Sequence, residues 1–373
     1  MKVIISGGGT GGHIYPAIAI ADALKKNDPA IDILFVGALG KMEMQKVPAA
    51  GYPIVGLRIR GFQRQQVLQN LLLPFRLIAS LWRARRLLKE FRPDVVVGTG
   101  GYASVPILYM AAKRKIPALI QEQNAAIGLA NQLLAGYVDK VCVAYAGMEK
   151  YCSAEKIVHT GNPVREDLLH LAEKRPTAYA HFGLLPGKPC LLVLGGSLGA
   201  KTINESILQA IDALIEAGLQ IIWATGRLYF EGIQARLTAQ QRAVVRLYPF
   251  IAPMDLAYAA ADIVVARAGA GTVAELCVAQ KPVIFVPSPN VTNDHQTQNV
   301  LPLVEKSAAL IVKDEEAMQQ LSGKVIGLLQ REAQQKILAK NIKDWARPKA
   351  TAAITQAITD LAHLTKHATH SNY

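Results

Sequence analysis

Two segments of the chain share one local design. Lys2–Ser6 is a short apolar run that ends in Gly7-Gly8-Gly9-Thr10-Gly11-Gly12-His13, after which Ile14–Leu24 carries helical periodicity. Cys190–Leu194 is a second such run. It ends in Gly195-Gly196-Ser197-Leu198-Gly199-Ala200, and a helical stretch follows from Thr202. Further apolar strands are expected at Ile31–Val36, Asp94–Gly98, Ala118–Gln121 and Lys140–Ala144, then at Gln220–Ala224, Val244–Leu247, Asp262–Ala266 and Pro282–Val286. Strands that alternate with helices form parallel sheets covered on both faces. The class is therefore α/β, with two Rossmann-like domains. The first is expected over 1–163 and the second over 164–340, with the switch near Gly161-Asn162-Pro163. Beyond roughly Lys340 the chain reads as helical again.

The 373 residues suit two or three domains. Apolar residues make up 51% and charged residues 18%, which excludes disorder. The net charge of +13 is unevenly placed: residues 1–165 hold 21 Lys+Arg and 10 Asp+Glu, whereas 166–373 hold 20 and 18. An anionic partner is thus expected on the first half. The four cysteines form no CxxC pair and read as reduced thiols of a cytosolic protein. The apolar start is too short for a signal peptide. The uncharged run Val95–Ala112 contains Gly98, Gly100, Gly101 and Pro106, so it reads as strand, turn and helix. No membrane-spanning helix is expected.

Glycines let the backbone turn tightly and approach a ligand, and a following helix points its N–H groups at an anion. The first turn is not GxGxxG. No acid follows Val36 in the ribose-binding manner, and GxxxxGK[ST] is absent. A nicotinamide cofactor and a P-loop are therefore disfavoured. His13 stands beside the opening N–H groups of its helix, where a second positive charge is disfavoured and the ring can accept a proton. A histidine with only a local hydrogen bond is the alternative.

The stretch Arg267-Ala268-Gly269-Ala270-Gly271-Thr272-Val273-Ala274-Glu275 reads as a second anion cradle. Glu275 either favours the helix start electrostatically or accepts hydrogen bonds from ribose hydroxyls. Pro287–Asn299 is a polar loop suited to sugar hydroxyls. No DxD triplet occurs, so no metal site is indicated, and a diphosphate would be neutralised by helix N-termini and Arg165.

Residues 58–92 hold nine Arg or Lys and one acid, interleaved with Leu72, Phe75, Ile78 and Trp82. A basic amphipathic helix with aromatic residues suits an anionic membrane surface. Phe75, Ile78, Trp82, Arg83, Arg86 and Leu72 are the expected contacts. An ordinary helix with its apolar side in the core is the alternative. Nucleic acid is disfavoured, because aromatic residues are only 6% and no binding motif is present.

At these residues the chain resembles the MurG family, the N-acetylglucosaminyltransferases that act on lipid-linked N-acetylmuramyl-peptide in bacterial cell-wall synthesis. The likeness rests on GGGTGGHIYPAIAIADAL from Gly7, PDVVVGTGGYASVP from Pro93 and QEQNAAIGLAN from Gln121. GNPVR from Gly161, GGSLGA from Gly195, the cradle from Arg267 and DHQTQN from Asp294 complete it. It implies a GT-B fold with the active site in the cleft, and a C-terminal helix over 341–365 that packs back on the first domain. The implied donor, UDP-N-acetylglucosamine, matches Ser197, Ile251, Ala270, Gly271, Thr272, Val273, Ala274, Glu275 and Gln296, with Thr10, Gly11, Gly12, Asn124 and Arg165 lining the cleft. The implied acceptor is undecaprenyl-diphosphate muramyl pentapeptide at the cytoplasmic face of the inner membrane. No cofactor is implied.

Three positions depart from the family's usual residues: Gln121 stands for a common His, Ala268 for Ser, and Leu198 for Gln. The implied reaction is an inverting displacement, with His13 as the first candidate base, Glu122 as the second, and Tyr102 as an orienting group. A GT-B diacylglycerol glycosyltransferase, a UDP-sugar epimerase and a non-catalytic nucleotide-sugar-binding protein are the alternatives.

Overall fold

The computed structural model describes residues 1–59 and 73–370, the side chains of 73, 74 and 364–370 excepted. The chain forms two compact units. One is Met1–Pro163 together with the stretch from Lys349; the other is Val164–Pro348.

The first unit is built on β1 (Lys2–Gly7), β2 (Asp32–Ala38), β3 (Ile54–Leu57), β4 (Val95–Gly100), β5 (Ala118–Glu122), β6 (Lys140–Val143) and β7 (Ile157–His159). The order is β3-β2-β1-β4-β5-β6-β7 with every pairing parallel. All of β4 and β5 is buried, which explains why these strands read as unbroken apolar runs. β3 and β7 were not expected. Both are short edge strands with half-buried residues, so neither carries a long apolar run.

The second unit has β8 (Cys190–Leu194), β9 (Gln220–Ala224), β10 (Val245–Tyr248), β11 (Ile263–Ala266), β12 (Val283–Phe285) and the two-residue β13 (Leu310–Ile311). Its order, β10-β9-β8-β11-β12-β13, is again parallel throughout. In each sheet the order reverses once, between β1 and β4 and between β8 and β11. Ligands of open α/β sheets bind outside the carboxyl ends of the strands at such reversals. Both glycine turns named above leave strands that flank a reversal.

The returning helix starts later than expected. Residues 341–343 finish the helix Glu332–Lys343 of the second unit, and the last helix runs Ala350–His370. Pro348 accounts for the break: it has no N–H and disfavours helical backbone at the preceding residue. Ile354, Ile358, Leu361 and Ala362 then pack against Ile14, Ala17 and neighbouring core residues of the first unit. Each large side chain buried there contributes about 1.5–3 kcal/mol.

The helix Leu73–Phe91 turns Ser80, Ala84 and Leu88 inward. Phe75, Ile78 and Trp82 face outward and are 71%, 55% and 76% exposed. The reading with this apolar stripe in the core is thereby corrected. Residues three and four apart share a helix face, and the inward positions 80, 84 and 88 form a different row. Arg83, Arg85 and Arg86 are exposed too, and Arg86 pairs with Glu90 at 2.6 Å. Leu72 lies outside the described residues. Among these, no helix is long and apolar enough to cross a membrane. Cys142, Cys190 and Cys277 are buried free thiols, and burial pushes each up to about 12.

Candidate active site

In the first unit the turn after β1 and the turn after β4 interlock. Gly8 N donates to the Gly100 carbonyl at 3.2 Å. A Cβ at Gly101, where φ is +87°, would lie 2.3 Å from the Gly8 carbonyl oxygen. A Cβ at Gly100 would lie 2.7 Å from Nδ1 of His13. Glycine is needed at both places so that two backbones and one imidazole can share the space.

A residue that no motif announced braces this turn. Glu43 is fully buried; its Oε2 accepts from Gly9 N at 2.9 Å and its Oε1 from Ala38 N at 2.9 Å. Its carboxylate fills the room that a side chain at Gly8 would need, and its Cγ does the same at Gly37. The only sequence signal was an acid soon after the Gly37–Gly40 turn, which is too common a pattern to single out.

The helix Gly11–Asn27 opens from Thr10, whose hydroxyl does not cap it. Thr10 and Gly12 are exposed and Gly11 is half-buried. The opening N–H groups of a helix have no partner within it, so this end suits an anion. His13 lies in the same first turn. Its Nδ1 is 3.0 Å from Gln123 Oε1, and its carbonyl accepts from Thr99 Oγ1 at 2.8 Å. Tyr102, in the turn after β4, is 47% exposed.

Glu122 has a different setting. It is buried; Oε1 accepts from Asn124 N at 3.0 Å, and Oε2 accepts from Gly128 N at 3.0 Å and Asn131 Nδ2 at 2.9 Å. Both oxygens hold the loop after β5, so this geometry does not favour the second-choice base role. Asn124 also donates its side-chain nitrogen to Glu122 Oε1, at 3.4 Å.

In the second unit the turn after β8 leaves Ser197 and Leu198 exposed. Gly199, with φ +83°, closes the turn by donating to the Gly196 carbonyl at 3.1 Å. After β11 the helix Ala270–Ala279 opens from Gly269, again with no side-chain cap. Gly271 is exposed and Thr272 half-buried on this opening turn. Val273 and Ile251 are 2% and 3% exposed and belong to the core, so a ligand could meet only their backbone.

Glu275 pairs with Arg165, Nε to Oε1 at 3.3 Å, and accepts from the buried Tyr258 hydroxyl at 2.9 Å. Burial pushes its carboxyl above the ordinary range, while Arg165 and Tyr258 pull it back. A carboxylate has about four acceptor positions, so two remain for donors such as sugar hydroxyls. Gln296 accepts from Ser288 N at 2.8 Å, which leaves its amide nitrogen for a ligand. Arg267 is committed to structure: it pairs with Asp314 and donates to the Val286 and Pro287 carbonyls at 3.0 Å each. Among the described residues, no group of three or more His, Cys, Asp or Glu is arranged to hold a metal ion.

The model of the glycosyltransferase family 28 N-terminal domain matches residues 3–143, and that of the C-terminal domain matches 190–358. The UDP-N-acetylglucosamine–N-acetylmuramyl-(pentapeptide) pyrophosphoryl-undecaprenol N-acetylglucosamine transferase of Amoebophilus asiaticus is 51% identical over 97% of this chain and 100% of its own length. The enzyme of the same name from Cytophaga hutchinsonii is 49% identical over 96% of each chain. The crystal structure of Acinetobacter baumannii MurG is 30% identical, covers 96% of this chain and 99% of its own, and superposes with a TM-score of 0.78. The chain belongs to the MurG family. It is an N-acetylglucosamine transferase with the GT-B fold. A UDP-GlcNAc 2-epimerase from Neisseria meningitidis reaches a TM-score of 0.64 at 17% identity, a likeness of fold alone. In this chain the turns after β1 and β4, and those after β8 and β11, lie at the strand ends where each parallel sheet reverses.

Proposed function

We propose that the chain transfers N-acetylglucosamine from UDP-N-acetylglucosamine to the C4 hydroxyl of undecaprenyl-diphosphate-linked N-acetylmuramoyl-pentapeptide, with inversion at the anomeric carbon. The full-length likeness to transferases of that name supports the substrates. The observation that carries the chemistry is His13, held by Gln123 at the uncapped opening of its helix.

The acceptor's diphosphate lies against Thr10, Gly11 and Gly12, where helix N–H groups favour negative charge. Tyr102 and Asn124 orient the sugar. The imidazole of His13 takes the hydroxyl proton as the oxygen bonds to the anomeric carbon and the bond to UDP breaks. In the second unit, Glu275 accepts from ribose hydroxyls. The opening turn at Ala270–Ala274, Ser197 and Arg165 stabilise the charge that grows on the departing diphosphate. Ile251 contributes backbone contacts and Gln296 an amide. The acceptor's polyprenyl chain stays in the bilayer. Phe75, Ile78 and Trp82 enter the interface, and Arg83 and Arg86 meet anionic headgroups, placing the protein peripherally at the cytoplasmic face.

Purified protein, radiolabelled UDP-N-acetylglucosamine and the muramyl lipid in mixed micelles test the reading directly. Label should move into a lipid-soluble disaccharide, with UDP released only when the lipid is present. UDP release without disaccharide, or label transferred equally to diacylglycerol, would sink it.

A further inference from the structure

The base role proposed for His13 needs a neutral imidazole with a lone pair on one of its two ring nitrogens. Three buried amides bear on which form is present. Gln121, Gln123 and Asn162 are 0%, 2% and 4% exposed. Gln123 Nε2 donates to the main-chain carbonyls of Thr99 and Gln121, each at 2.9 Å. A carbonyl only accepts, so the atom facing the two carbonyls is the amide nitrogen. The other end of that amide, Oε1, is then an oxygen, and it is this atom that lies 3.0 Å from His13 Nδ1. An amide oxygen cannot donate. His13 Nδ1 therefore carries the proton.

The neighbours prevent the Gln123 amide from turning over. Gln121 Oε1 also lies against Gln123 Nε2 and shares one of its two hydrogens with a main-chain carbonyl, and Gln121 Nε2 donates to Asn162 Oδ1 at 2.9 Å. Asn162 Nδ2 in turn donates to the Gln123 carbonyl at 2.9 Å. The circuit closes on itself. Reversing Gln121 or Asn162 alone sets donor against donor and acceptor against acceptor, and reversing Gln123 sets its oxygen against three acceptor oxygens, which is costly for buried groups. None of the three side chains titrates, so their polarity does not change with pH.

We infer that Gln123 is a positioning residue, held by Gln121 and Asn162, that keeps His13 in the Nδ1–H form with Nε2 free to take the acceptor's proton. This rests on the base role of His13 proposed above. When the proton arrives on Nε2, the Nδ1 hydrogen bond stays in place, and no side chain has to rearrange.

Nitrogen-15 NMR of the full-length protein, labelled at histidine, reads the tautomer without reference to activity. Neutral His13 should be in the Nδ1–H form, the less populated one for an isolated histidine side chain. Gln123→Met, close in length but without the acceptor, should release His13 towards the Nε2–H form. It should lower kcat by ~10²–10⁴ and leave the KM for UDP-N-acetylglucosamine within about twofold, the usual outcome when only transition-state interactions are lost. A parent protein with His13 in the Nε2–H form overturns the inference while leaving the base role standing. That measurement does not depend on the variant folding. Full turnover in Gln123→Met beside an inactive His13→Ala also overturns it. Full turnover in His13→Ala removes the base role itself, whatever the tautomer.

Discussion

In the first unit the glycine turn after β1 is braced from within: Glu43 ties Gly9 and Ala38, and the turn after β4 locks against Gly8. A histidine sits in the helix that follows, oriented by a buried amide. In the second unit the matching turn after β8 ends in an exposed serine and leucine, with no titratable side chain in its glycine segment. The charged groups there, Arg165 and Glu275, pair with each other at the helix that follows β11, the other strand of that reversal. In the reaction proposed above, the same strand–turn–helix device serves two purposes. Where a proton must move, the turn is rigid and its histidine is held. Where a nucleotide must bind and leave, open backbone and a few spare acceptors suffice.

This contrast can be broken experimentally. The largest expected effect is in the first unit: His13→Ala should lower turnover by ~10²–10⁴ and leave UDP affinity, measured by calorimetry, unchanged. Equal losses in turnover and in affinity would erase the distinction between the units. Next comes the charged face. Replacing Arg83, Arg85 and Arg86 by Gln should weaken sedimentation with anionic vesicles by roughly 100-fold, at about 1 kcal/mol per basic residue. Arg86 should contribute least because Glu90 already pairs with it. The same change at Lys188, Lys201 and Arg227 of the second unit should do nothing.

Glu275→Ala should reduce donor affinity by ~10–100-fold, the loss expected for hydrogen bonds to a charged group. Its acidity offers a second check. The carboxyl is raised above the ordinary 4.5 by burial, so the folded protein binds this proton more tightly than the unfolded chain does. The group's contribution to stability is therefore full below 4.5 and is lost as pH rises through the raised value. Urea midpoints should move in favour of Glu275→Gln, relative to the parent, as pH increases across that window. A constant difference would mean the carboxyl is not perturbed. The smallest effect belongs to Ser197→Ala, where one exposed hydroxyl should change donor affinity by no more than about tenfold.

Much of the fold was legible because buried parallel strands announce themselves as apolar runs and glycine turns mark their ends. What escaped were the short edge strands β3, β7 and β13, which bury too little to be seen. The site was legible where backbone geometry demands glycine, at Gly100 and Gly101, and where family motifs stand. It was not legible where a side chain far away in sequence completes it. Glu43 reaches Gly9 across 34 positions, and Gln121 meets Asn162 across 41. Motif matching also cannot tell side chain from backbone, as the buried Ile251 and Val273 illustrate.

The late helix Ala350–His370 has a consequence for synthesis. A ribosome makes the first unit's sheet early, yet Ile354, Ile358, Leu361 and Ala362, which cover part of the helix Gly11–Asn27, emerge near the end. The second unit is one continuous stretch and can close its core as soon as it leaves the tunnel. The unit translated first is therefore the last to be finished, and until then it presents an uncovered apolar groove to whatever chaperone or neighbour is at hand. A stop codon before Ala350 would damage the first unit more than the second.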